Sequence, residues 1–263
     1  MDVYDYVPAF QKPGMSPAVT TASLRDMARL GVRTLYLQAA QDDRRSEDDV
    51  VSRSLVGEVL VEAHRVGLRV VAWYLPHFAD VDADLRRVVA LRDFRAHGQR
   101  FDGLALDIEW TNDVPDAATR NARLVSLSER VRDATGGVPL GAIVYPPPLL
   151  EDVNPKLWPA FPWRQLASRF DVWLPMAYWT LRSLSSPLHD AATYVAQSVE
   201  RVRADLGVAD APVHVIGGIA DAATADDDRA FVRAAHAVHV LGWSMYDFDT
   251  TRSDAWPILR SGS

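Results

Sequence analysis

The sequence predicts a single (β/α)₈ barrel, and three features predict it. Short β-branched runs alternate with longer amphipathic stretches along the chain, which implies parallel strands joined by helices. The length, 263 residues, is close to the roughly 250 of one such barrel. No glycine-rich phosphate loop follows the first run, which disfavours the structural alternative, a doubly wound open sheet. One catalytic domain over residues 1–263 is expected, with its active site built by the loops that follow strand C-termini.

The strand-like runs are 3–10, 32–40, 69–76, 101–110, 138–146, 171–179, 212–220 and 240–248. Each is rich in Val, Ile, Leu and aromatics, as strands buried on both faces are. Helices are expected over 20–30, 52–66, 82–97, 117–135, 163–170, 188–206 and 226–238, with a short one over 253–260. Gly31, Gly67, Gly98, Gly136 and Gly207 stand just past helix ends, where a left-handed residue closes the turn. The charged run 41–49 reads as a solvated loop. The Pro- and aromatic-rich connection 146–163 follows a strand C-terminus and is expected to overhang the active-site end.

Composition excludes several functions. There are no cysteines, so neither disulfides nor thiolate chemistry is available. No stretch reaches the ~20 apolar residues of a membrane span, and MDVYDYVPAF lacks the basic start and apolar run of a signal peptide. Cellular location stays open, secretion after removal of an upstream leader included. The net charge of −7 lacks the basic footprint of a nucleic-acid binder. The seven histidines form no metal pattern: His64, His97, His236 and His239 fall on or near helices, and His214 starts a strand. No metal or other cofactor is expected. Gly-x-Ser-x-Gly and Walker motifs are absent, and Gly217-Gly218 is only a weak hint of a phosphate site. Lys12 and Lys156, the only lysines, lie outside the strands, which argues against a Schiff-base aldolase.

Chemistry concentrates in the run Phe101-Asp102-Gly103-Leu104-Ala105-Leu106-Asp107-Ile108-Glu109-Trp110. Side chains alternate along a strand, so Leu104, Leu106 and Ile108 share one face and Ala105, Asp107 and Glu109 the other. The two acids point into the barrel at the strand's C-terminal end, with Cα atoms about 6.6 Å apart. At that range each raises the other's proton affinity, which favours one ionised carboxylate beside one protonated acid. Glycosidic cleavage needs that pair: a proton for the leaving oxygen and a negative charge for the developing cation. Asp102 begins the strand at the opposite end, where a structural role, bonding a loop amide, is expected.

This run resembles the signature of glycoside hydrolase family 18, the chitinases and endo-N-acetylglucosaminidases, written D-G-x-D-x-D-x-E. Asp102, Gly103, Asp107 and Glu109 match it, and Ala105 stands where the pattern has a further acid. Met176-Ala177-Tyr178-Trp179 is similar to that family's M-x-Y-D, with Trp179 in place of the Asp. Gly242-Trp243-Ser244-Met245-Tyr246 is similar to its closing strand, with Tyr246 where a sugar-floor Trp would sit. Ala72-Trp73 departs from the family's third strand and looks like that of looser glycoside-hydrolase-like barrels. The resemblance implies that Glu109 is the general acid and that Asp107 orients an acetamido group acting as nucleophile. It also implies that Tyr178 hydrogen-bonds that group.

Further polar and aromatic residues near strand tops suit a sugar site: Tyr6, Gln38, Tyr74, His77, Trp110, Tyr145, Trp179, Trp243, Tyr246 and Asp247. Asp5 belongs with them. Asp247 or Asp249 could serve as a second carboxylate opposite Glu109, and periodicity does not say which faces inward. The expected function is a glycoside hydrolase acting on a polysaccharide or glycan, with N-acetylhexosamine-containing substrates included. The alternative is a non-catalytic, lectin-like barrel. Substrate sugar, linkage, stereochemical course and oligomeric state are not legible.

Overall fold

Seven of the eight β-branched runs form strands: β1 Thr34–Ala40, β2 Arg69–Tyr74, β3 Gly103–Ile108, β4 Leu140–Val144, β5 Val172–Ala177, β6 His214–Ile219 and β7 Gly242–Tyr246. The computed structural model describes residues 1–261, so the last two residues of the expected 1–263 domain lie outside the described residues. β1, β2 and β3 pair in chain order and in parallel, and so do β4, β5, β6 and β7. Helices separate them: α2 Thr21–Leu30, α3 Arg53–Arg65, α4 Val81–Asp93, α5 Ala117–Thr135, α6 Trp163–Leu166, α7 Ala191–Leu206, α8 Ala225–Ala237 and α9 Ala255–Arg260. This alternation makes an α/β fold of the barrel class.

The expected first strand, residues 3–10, is a correction. Val3–Tyr6 is a helical turn, α1, and Pro8–Phe10 a 3₁₀ turn. The cause is local. The Asp2 side chain accepts from Tyr4 N, and Asp5 Oδ2 accepts from Asp2 N at 2.7 Å, a reciprocal cap that satisfies donors a sheet would otherwise have to pair. Pro8 then removes a ladder donor. The expected helix 163–170 is likewise shorter, a single turn ending at Leu166.

The glycine stops behave as expected. Gly31, Gly67, Gly98, Gly136 and Gly207 all have positive φ, between 59° and 93°.

The chain packs as two compact units. The first comprises Met1–Pro115 with Ala122–Leu140. Its register aligns Gln38 with Trp73, and Trp73 with Ala105. All six β3 residues are buried, as a strand covered on both faces requires. Asp102 Oδ2 accepts from Val70 N at 2.7 Å and lies 2.9 Å from His64 Nε2, tying the start of β3 to β2 and α3.

The second unit comprises Asp116–Asn121 with the chain from Gly141 onward. Trp158, Trp173 and Trp179 are fully buried in it. Trp158 Nε1 donates to Asn121 Oδ1 at 2.6 Å, and the Arg120 guanidinium lies 4.3 Å from the centre of the Trp158 ring. The start of α5 therefore pins the 146–163 connection, which contains a π-helical turn over Leu149–Val153.

Candidate active site

In the first unit, β3 delivers Asp107 to its C-terminal end, and Glu109 follows directly after the strand. Asp107 is buried at 7% exposure and its Oδ1 has no hydrogen-bond partner among the described residues. Burial raises its proton affinity well above the ordinary carboxylate value, and the charges of Glu109 and Asp2 raise it further. Glu109 is half-buried, and its proton affinity is also raised, by burial and then by Asp2. Burial and neighbouring negative charge therefore both favour the protonated form of these two carboxyls over that of a free one. A protonated carboxyl of this kind can donate to a substrate oxygen, and an ionised neighbour can stabilise positive charge.

Asp2 was not among the sequence candidates. Its signal is the helix-start pattern Asp2-x-x-Asp5, which straddles the start of the strand-like run 3–10.

The other first-unit candidates are placed differently. Tyr6 lies on α1, not on a strand; it is buried, and its hydroxyl donates to the Gln38 carbonyl oxygen. Gln38 is also buried, and its Oε1 accepts from Val3 N at 3.2 Å. Asp5 caps α1. Tyr6 and Gln38 hold the N-terminal segment against β1. Tyr74 was expected to face sugar, and this is corrected: its side chain has no exposed surface and its hydroxyl donates to Asp84 Oδ1 at 2.5 Å. His77 and Trp110 stand together at the ends of β2 and β3, stacked at 4.4 Å and 8°. His77 Nδ1 lies 2.9 Å from Asp113 Oδ2. The partly exposed Trp110 thus keeps a flat face braced by imidazole.

In the second unit, Tyr178 and Tyr246 are half-buried neighbours, with ring centroids 6.0 Å apart and tilted by 44°. Tyr145, just past β4, is half-buried. Trp179 is corrected from platform to core: it is 1% exposed and packs on Phe231. Trp243 donates from Nε1 to Leu259 O at 3.1 Å and meets the His236 ring edge-on. Asp247 is buried and Asp249 exposed. Asp247 Oδ1 accepts from Thr250 N at 3.1 Å and from Thr250 Oγ1 at 2.9 Å, so it holds the turn after β7. The glycine pair has a packing cause, since a Cβ on Gly217 would come within 2.7 Å of Phe231.

Among the described residues, no group of three or more His, Cys, Asp or Glu could hold a metal ion, and no helix is long and apolar enough to cross a membrane.

No protein-family model matches the sequence, and no curated protein matches it. Solved structures do. A GH18 chitinase from Pseudoalteromonas aurantia is 12% identical with a TM-score of 0.66, over 94% of this chain and 97% of that one. A chitinase-like agglutinin from Robinia pseudoacacia is 12% identical with a TM-score of 0.63, over the same shares of each chain. A class V chitinase from Pseudomonas fluorescens Pf-5 is 11% identical with a TM-score of 0.62, over 92% and 95%. The chain has the fold of the chitinase-like TIM barrels.

Proposed function

We propose that this protein is a glycan-cleaving enzyme, an O-glycosyl hydrolase whose proton donor is Glu109. The observation that carries the reading is the acid pair at the end of β3, where burial and like charge both favour the protonated form. In this reading Glu109 gives its proton to the glycosidic oxygen as the C–O bond breaks. The carboxylate left behind, with Asp107, faces the positive charge that develops on the sugar. Trp110, braced by His77, offers a surface for a sugar ring. Tyr178 joins the proposal on the resemblance of Met176-Ala177-Tyr178 alone. N-acetylhexosamine polymers are the first substrate class to test.

A second reading is a carbohydrate-binding barrel without turnover. Two observations favour it: Ala105 supplies no acid, and a chitinase-like agglutinin shares the fold. One experiment separates the two readings. The protein and its Glu109→Gln variant are screened for reducing-end release from chitin, peptidoglycan and plant polysaccharides, with binding followed by calorimetry. The hydrolase reading expects Glu109→Gln to lose about 100-fold or more of turnover while keeping sugar affinity. Unchanged turnover removes the assignment, and binding without release by the unaltered protein selects the lectin.

A further inference from the structure

Three strand ends of the first unit meet around one imidazole. His77 follows β2, Trp110 and Asp113 follow β3, and Asp42 follows β1. The His77 backbone is held by Asp84, whose Oδ1 accepts from His77 N at 3.3 Å. That bond leaves the two side-chain torsions of His77 unset. Its ring nevertheless lies within 8° of parallel to the Trp110 indole, with centroids 4.4 Å apart. Aromatic rings favour offset-stacked and edge-on arrangements alike, so stacking alone does not select the parallel one. The other contact of the ring does: Asp113 Oδ2 lies 2.9 Å from His77 Nδ1. Asp42 does not make this bond, since its Oδ2 is 3.8 Å from Nδ1 and its Oδ1 accepts from Arg87 at 2.6 Å.

We propose that Asp113 is a positioning residue for sugar binding. Its carboxylate accepts from Nδ1–H and so fixes the rotation of the His77 ring. The fixed imidazole covers one face of Trp110 and sets the angle at which the partly exposed indole meets a sugar. Asp113 acts through His77 and Trp110, not on the substrate itself. The inference rests on the reading of Trp110 as a sugar surface, which the hydrolase and the carbohydrate-binding barrel share, and not on bond cleavage.

Asp113 is exposed, and thermal melting checks that its variants fold. Asp113→Ala removes the acceptor. Asp113→Asn keeps an oxygen for Nδ1–H but drops the charge, so it separates positioning from electrostatics. Two measurements are made on the full chain. The ¹H–¹⁵N NMR signal of the Trp110 indole, identified by its disappearance in Trp110→Phe, reports the stacked imidazole. Calorimetry with an N-acetylglucosamine hexamer gives the affinity, with Glu109→Gln present throughout to prevent cleavage.

Asp113→Ala is expected to shift the indole signal and to weaken hexamer binding about 10-fold. Asp113→Asn is expected to leave the signal in place and the affinity within about 2-fold. An unmoved indole signal or an unchanged affinity in folded Asp113→Ala overturns the proposal. So does an equal loss in Asp113→Asn, which would mean that the charge acts on the sugar directly, and so does hexamer binding by none of the forms. The expected pattern in a protein that releases no reducing ends upholds the positioning role and removes only the hydrolase reading. Unchanged affinity in Asp113→Ala, with turnover lost in Glu109→Gln, does the reverse.

Discussion

Asp107 shows how a single side chain can work against stability. Its folded-state proton affinity lies above the ordinary value of about 3.9, because it is buried beside Glu109 and Asp2. Between those two values the folded protein binds more protons than the unfolded chain. Stability is therefore full below the unfolded value and is lost as pH rises through the folded one. Asp107→Asn cannot ionise and escapes that loss. The variant is expected to be more stable than the unaltered protein at pH 8, by about 1 kcal/mol or more, with the difference closing toward pH 4. Differential scanning calorimetry at both pH values measures it, and parallel melting curves would refute it. The chemistry of this residue was legible because a two-residue alternation places Asp107 and Glu109 on one face whatever the rest of the fold does. The placement of the segment around Asp2 was not, because it depends on bonds that Met1 and Val3 make with Gln38, far along the chain, which no local pattern encodes.

Turns and helices hold the same lesson at the scale of the element. Strands such as Arg69–Tyr74 and the glycine-closed helices were readable from period and punctuation, since both follow from local sterics. Residues 3–10 misled because Val3, Tyr4, Tyr6 and Val7 have strand composition, while Asp2, Asp5 and Pro8 specify helical turns. The connection from β2 to α4 was legible only in outline. Asp84, in the first turn of α4, is 1% exposed. It accepts from the Tyr74 hydroxyl, from Phe78 N at 2.9 Å and from His77 N at 3.3 Å. Phe78 there has φ 61°, a left-handed conformation that a bulky residue avoids unless held. Asp84→Ala leaves these donors buried and unpaired, and is expected to cost about 2–4 kcal/mol. Urea unfolding checks the cost. Loss of under about 0.5 kcal/mol would mean that water or neighbours replace the carboxylate. Because His77 braces Trp110, the same variant should weaken sugar binding more than Asp80→Asn, which alters only the helix cap.

Across the whole molecule, opposing titrations set the pH at which the protein is most stable. The net charge of −7 and the raised proton affinities of Asp107, Glu109 and Asp84 favour mild acid, since protonation relieves repulsion and burial of charge. His214 opposes them. Burial pushes its proton affinity down to about 4, and its ring is packed closely enough that a Cβ on Gly242 would come within 3.0 Å of Nδ1. The unfolded chain takes up a proton at His214 near pH 6.5, and the folded protein does so only near its lowered value. Stability from this group is therefore full above the unfolded value and is lost as pH falls toward 4. The gap corresponds to about 3 kcal/mol at most. Glutamine at this position can still bond Ser244, which lies 3.2 Å from His214 Nε2, and it carries no proton to exchange. Relative to the unaltered protein, His214→Gln is expected to gain on the order of 5 °C in Tm between pH 7.5 and pH 4.5. A constant Tm difference over that range would show that His214 is as readily protonated folded as unfolded. The acid limb of stability would then have to come from the carboxylates held by arginine, such as Glu62 and Asp43, each lowered to about 2, whose loss would fall at far lower pH.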